Sequence, residues 1–266
     1  GNDYTPNGAV VKVGGKLTFG VTASGMDANI TNFVIKKIMP DGSVKVVFDS
    51  GLNSTGFSVR QTFYQNVEEE AQWTFQVMDK NRQFATTSLT IYKDPNSAWG
   101  GILEYPLITM GYQNNMTYGH YLSTSDGKVW FADSAATRQP MIDLVTYFYV
   151  DDDLLNSPTL SSPGELGGGI TMYYPEIGQW TTKNYTKYDI SVDTEPIPTA
   201  LFDACHNDSL LIVSYDEVWG KRKFKYAYPG IVVPFITAGG KKGLVKVITA
   251  DNDPTGIISF SMKIQQ

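Results

Sequence analysis

Two histidines, His120 and His206, and one cysteine, Cys205, are the only imidazole and thiol groups in this 266-residue sequence. A zinc site takes three or four ligands, so these residues would hold zinc only with carboxylates beside them. A cysteine nucleophile needs a base within hydrogen-bond reach. Cys205 and His206 are neighbours whose side chains diverge on a helix, so a dyad requires Cys205 to meet His120. The default for Cys205 is a small packed apolar residue. Carboxylates are the opposite case. With 27 Asp and Glu, the two facing acids that a glycosidase uses cannot be singled out. Asp151-Asp152-Asp153 follows an apolar run and reads as a solvated turn, and Glu68-Glu69-Glu70 reads as a loop run ahead of Trp73. Asp251-Asn252-Asp253-Pro254-Thr255-Gly256 matches the front of a calcium loop. Met262 stands where the bidentate Glu belongs, however, and a tight turn between two strands accounts for the same residues.

No nucleophile elbow, P-loop or dinucleotide fingerprint is present, and Gly167-Gly168-Gly169 has neither the lysine nor the strand-to-helix context that phosphate binding needs, so it reads as a flexible loop. We therefore assign no catalytic residue, metal or cofactor. Aromatic side chains are the remaining chemical signal, because Trp and Tyr faces stack on sugar rings while their polar atoms reach hydroxyls. Among Tyr112, Trp130, Tyr173, Tyr174, Trp180, Tyr185 and Trp219, those in proline- or glycine-rich, loop-like surroundings are the best placed to meet a ligand. These are Tyr173, Tyr174, Trp180 and Trp219. Trp73 and Trp130 lie in strand patterns and are assigned to packing.

The elements that must hold these residues are mostly strands. In residues 17–23, Leu17, Phe19, Val21 and Ala23 alternate with Thr18, Gly20 and Thr22, the period of a strand with one face on a core. Trp73, Phe75 and Val77 alternate with polar residues in the same way. Turn residues at Gly14-Gly15, Pro40-Asp41-Gly42, Asp49-Ser50-Gly51 and Asp79-Lys80-Asn81 divide the first 95 residues into seven strands, at 10–13, 17–23, 32–39, 44–49, 58–65, 72–78 and 86–93. Seven short strands at this spacing predict an immunoglobulin-like sandwich over residues 1–95.

Asp94-Pro95-Asn96-Ser97 is a polar break, and residues 96–266 form a larger β-rich, sandwich-like module with one or two short helices. Strands are expected at 103–110, 118–123, 128–131, 141–150, 170–174, 187–190, 231–237, 244–249 and 257–264. The helices are expected at 135–139 and near Thr199–Cys205, where Leu201 and Cys205 share a face. Residues 156–169, rich in Ser, Gly and Pro, read as a loop.

Composition narrows the class further. Hydrophobic residues are 42%, aromatics 13% and charged residues 18%, which is globular and leans toward β structure. A net charge of −6, with no basic run longer than Lys221-Arg222-Lys223, leaves no field to neutralise many phosphates, so nucleic acid is not an expected partner. No apolar run approaches the ~20 residues that span a bilayer. One cysteine excludes an intrachain disulfide. The chain begins Gly1-Asn2-Asp3 without methionine, from which we expect that a targeting segment has been removed upstream and that the protein is exported.

Asp126-Gly127-Lys128-Val129-Trp130, the 135–139 connector, Ile142-Asp143-Leu144-Val145 and the stretch 240–247 (GKKGLVKV) together resemble the C-terminal region of exported Bacteroidetes surface lipoproteins. In that uncharacterised group an immunoglobulin-like or PKD-like domain precedes such a module. The resemblance implies a lipid anchor on a cysteine upstream of Asn2, a place at the outer membrane or in the periplasm, and a role in capturing polysaccharide beside a transporter. Three functions follow as expectations. The first is a non-enzymatic glycan-binding lipoprotein, the second a structural or adhesion protein with an envelope or host protein as partner, and the third a hydrolase with a carboxylate pair.

Overall fold

A computed structural model describes residues 3–165 and 169–266. The chain divides into two compact units, Gly1–Gly101 and Ile102–Gln266, and both are built mainly of strands. No helix among the described residues is long and apolar enough to cross a membrane.

The first unit holds β1 (Val10–Val11), β2 (Lys16–Ser24), β3 (Ile30–Ile38), β4 (Val44–Ser54), β5 (Gly56–Tyr64), β6 (Glu70–Asp79) and β7 (Phe84–Lys93). They form a five-stranded sheet in the order β1-β7-β6-β3-β4 and a two-stranded sheet of β2 and β5. All seven expected strands are present, and the sheets exchange consecutive strands as an immunoglobulin-like sandwich does. β1 pairs with β7 in parallel, while the other pairings are antiparallel.

The alternation in β2 and β6 turns Leu17, Phe19, Trp73 and Phe75 into one buried cluster with Phe33 and Ile35 of β3. Aromatic rings make the contact between the sheets: Phe19 lies 5.0 Å from Trp73 and 5.2 Å from Phe75, and Phe63 lies 4.9 Å from Trp73. Antibody domains place a disulfide between their sheets. Here aromatic area serves instead, since Cys205 is free and lies in the other unit.

The second unit contains β8 (Ile102–Gly111), β9 (Tyr121–Leu122), β10 (Val129–Trp130), β11 (Leu144–Val150), β12 (Asn156–Ser161), β13 (Lys187–Asp189), β14 (Gly220–Lys221), β15 (Val232–Ile236), β16 (Lys242–Ala250) and β17 (Ile257–Gln265). A four-stranded sheet, β10-β9-β11-β12, faces a six-stranded one, β14-β13-β15-β16-β17-β8. Leu144 and Phe148 of β11, Val233 and Phe235 of β15, and Ile258, Phe260, Met262 and Ile264 of β17 fill the space between them.

Both outer faces are covered as well. Val145 and Tyr147 point away from Leu144 and Phe148 by the strand's period of two, and they pack under α1 (Ala132–Ala136), α2 (Gly169–Tyr173) and the turn Pro175–Gln179 with Ile170, Ile177 and Trp180. On the far face Val232 and Leu244 meet Phe202 of α3 (Thr199–Ala204) and Leu211 of α4 (Ser209–Ser214). Among the described residues the sandwich is thus mantled by four helices of five or six residues, where one or two were expected.

Two expectations are corrected. Residues 156–161 form β12, paired along its length with β11, and they are not loop. Its buried hydroxyls satisfy one another, with Ser157 Oγ 3.1 Å from Thr159 Oγ1, so a polar sequence supports a buried strand. Pro158 is tolerated because β12 is an edge strand. Residues 170–174, read as a strand, form α2 and its end. Ile170 and Tyr174 are four apart and both buried, and the Tyr174 N–H donates to the Ile170 carbonyl at 2.8 Å. Of the Gly167-Gly168-Gly169 run, the first two lie outside the described residues, and Gly169 opens α2.

Candidate functional site

Three of the four proposed ligand-binding aromatics come together, but as packing. Tyr174 and Trp180 are buried at 3% and 6% exposure. Tyr174 donates its hydroxyl to the Thr146 carbonyl at 2.5 Å, and Trp180 lies 5.3 Å from Tyr121, which itself donates to Glu176. Neither ring has a face left for a sugar. Tyr173 is half-buried, stacked on Tyr147 at 4.1 Å and 14°. The reason lies in the layer structure: the outer face of the four-stranded sheet is itself apolar, and the proline- and glycine-rich segment over it must supply the covering rings.

Beneath this cluster is a buried acid. Glu165 is 5% exposed and accepts from Ser161 Oγ at 2.6 Å and from Tyr147 Oη at 3.2 Å, with Lys223 Nζ 3.2 Å away. Burial and the nearby Glu165 push the Tyr147 hydroxyl well above the usual tyrosine range.

Trp219 is placed differently. It ends a helical turn, Glu217–Trp219, started by Asp216, whose side chain accepts the Val218 N–H at 2.9 Å. Its indole is 50% exposed and lines a cleft of about 320 Å³ with Asp189, Ser191, Thr194, Glu195 and Asp216. Asp189, 1% exposed at the end of β13, joins the two walls. Its carboxylate accepts Ser191 N at 2.8 Å through one oxygen and Asp216 N at 2.8 Å through the other. Both oxygens are therefore committed to backbone donors, and Asp189 is a brace for the cleft. Glu195 and Asp216 remain exposed at its rim. Hydroxyls, carboxylates and a half-free indole can together accept hydrogen bonds from a polyol and stack on its carbon face.

A second cleft, about 420 Å³, was not anticipated. Asp143, just before β11, lines it with Thr124, Asn184, Thr237 and Lys241, over Leu103 and Ile264. Thr124 Oγ1 donates to Asp143 at 2.5 Å, Thr124 N at 3.3 Å and Asn184 Nδ2 at 3.2 Å. Burial nevertheless dominates and holds this carboxyl above the usual aspartate range. Asp143 is the one carboxylate among the lining residues, so this cleft supplies no facing pair of acids. In the sequence Asp143 is one acid among many, and only its burial distinguishes it.

The remaining candidates fall in separate places. His120 packs among Tyr121, Phe131 and Tyr174, with Nδ1 3.0 Å from the Gly111 carbonyl. Cys205 sits in the cluster under α3 and α4, where burial pushes its thiol up and Sγ donates to the Asn207 carbonyl at 3.0 Å. The two belong to opposite outer layers and form no dyad. Asp151 and Asp253 each accept backbone donors of their own turns, from Leu155 at 2.9 Å and from Thr255 at 2.9 Å. Glu68 pairs with the buried Lys37 at 2.8 Å. Among the described residues no three acids, histidines or cysteines are grouped to hold a metal ion. No family model matches the chain, and no curated protein matches it.

Proposed function

We propose that this chain is a non-enzymatic, surface-displayed glycan-binding protein whose sugar site is the cleft beside Trp219. The observation that carries the reading is the half-exposed indole at the mouth of a cleft walled by hydroxyls and carboxylates. A pyranose presents an apolar face and a ring of hydroxyls, and the cleft offers a counterpart to each. Surface display and a lipid anchor follow from the lipoprotein resemblance.

Purified protein titrated against a panel of neutral polysaccharides tests the reading. Binding should weaken by ten- to a hundredfold in Trp219→Ala, the equivalent of the ~1.5–3 kcal/mol for covering a large apolar side chain. Trp180→Ala should instead destabilise the fold, because Trp180 is core. Failure to bind any neutral glycan would remove the sugar reading, and release of new reducing ends would replace it with hydrolysis.

A further inference from the structure

The residues that follow Trp219 in the chain line a cleft of different character. Its volume is about 380 Å³, and its lining includes Lys221, Arg222, Lys223 and Lys225, with Tyr185, Tyr226 and Ile190 supplying apolar surface. Asp193 is the one acid among the lining residues, and partial burial raises its carboxyl from the usual value. The lining is richer in cations than the whole chain, whose net charge is −6, although Glu165 beside Lys223 and Asp151 beside Lys225 offset part of that charge. Lys223 and Lys225 have aromatic and acidic neighbours, and Arg222 has a partner as well. Lys223 is paired with Glu165 and lies 5.8 Å from the Tyr147 ring, and Lys225 lies 5.6 Å from the Tyr149 ring.

The backbone of this cleft carries a cost. Tyr226 has φ +55°, a left-handed conformation that a bulky side chain adopts rarely and only when its surroundings enforce it. Those surroundings are visible. Phe224 exchanges hydrogen bonds with Leu160 of β12 at 2.9 and 3.0 Å, and Ala227 N donates to the Pro158 carbonyl at 2.9 Å. Tyr226 itself donates its hydroxyl to Asp151. The strained residue is pinned on both sides, so its ring is positioned before any ligand arrives.

We propose that this cleft is a second ligand site, which takes the acidic group of a saccharide, a uronate carboxylate or a sulfate ester, while Tyr185, Tyr226 and Ile190 meet the ring that bears it. Cations in a concave site favour an anion held at close range, and the volume lies in the range of roughly 300–1,000 Å³ found for small-ligand sites. A flat anionic bilayer does not fit a concave wall, and four cations on an acidic chain are too few for a nucleic-acid track. Trp219 does not line this cleft, so the inference stands apart from the neutral-glycan reading.

Calorimetric titration of the full chain with an oligogalacturonate, with a sulfated chondroitin oligosaccharide and with a neutral cello-oligosaccharide tests it. At least one acidic ligand should bind, more weakly as salt is raised. The double variant Lys221→Gln/Arg222→Gln should weaken that binding about tenfold or more, the factor for losing a charge-assisted hydrogen bond. Which acidic ligand binds distinguishes carboxylate from sulfate. Should the double variant disturb β14, Lys225→Gln, outside any strand, gives the same readout. Unchanged affinity in both variants, no binding of either acidic ligand, or tighter association with phosphatidylserine vesicles than with either saccharide would overturn the proposal. Trp219→Ala separates the two readings, since it weakens neutral-glycan binding and spares the acidic ligand.

Discussion

In Lys223→Met the carboxylate of Glu165 keeps its two hydroxyl donors, Ser161 and Tyr147, but loses its cation. The Glu165 side chain is 2% exposed and that of Lys223 27%, so the acid cannot turn to water whereas the amine can. Two unit charges 3.2 Å apart attract by about 5 kcal/mol at an effective dielectric constant of about 20. Breaking a fully buried pair costs ~3–5 kcal/mol. Because Lys223 is about a quarter exposed and partly screened, we expect about 2–3 kcal/mol for Lys223→Met. Glu165→Gln strands the partner that can reach water and should cost about 1 kcal/mol. The double variant should recover most of the larger loss, since it leaves no unpaired charge. The assay is native-state hydrogen exchange of the full chain, read at the amides of β11, which lies inside its sheet between β9 and β12. Equal costs for the two single variants, or a Lys223→Met cost below about 0.5 kcal/mol, would refute the asymmetry.

Phe19→Ala removes a ring that joins the two sheets of the first unit, and it should cost ~3–5 kcal/mol, read as lost amide protection in β6. A loss below about 1 kcal/mol would mean that the sheets do not depend on this contact. The Asp143 carboxyl carbon, followed by NMR, should titrate above the ordinary aspartate value of about 3.9. The folded protein then holds that proton more tightly than the unfolded chain does. Its contribution to stability is complete below the unfolded value and is lost as pH rises through the folded one. A midpoint at or below the ordinary value would mean that Thr124 and Asn184 outweigh burial.

Strands with one face on a core could be read directly. β2 and β6 each alternate apolar and polar residues, and each lies where that pattern puts it. β17 also lies where its alternation puts it, but its polar residues Ser259 and Lys263 are buried as well, under the covered outer face. β12 could not, because Ser157, Thr159 and Ser161 are buried polar residues whose hydroxyls bond one another and Glu165, and such a run has the composition of a loop. α2 was missed because five residues are too few to separate a period of 3.6 from one of 2. Trp219 and Trp180 both stand in loop-like sequence. One is half free and the other is core, and nothing within ten residues of either distinguishes them. Asp143 shows the same limit, since its surroundings are brought in from several elements. The cations of the basic cleft come instead from one local run, 221–225, and only the walls that make it a cleft come from elsewhere.

The sequence by itself determined what is local or additive: the strand pattern of the first unit, the predominance of β structure, the scarcity of thiol and imidazole, and the acidic net charge. Each is a property of neighbours along the chain or of a sum over it. Tertiary structure alone decided which faces of the second unit are covered and so which aromatic rings are spent on packing. It also decided that the 221–225 run is walled by Tyr185 and Ile190 into a cleft. Burial and charge proximity are set by residues tens of positions apart, as Glu165 and Lys223 are, and no local pattern encodes that meeting.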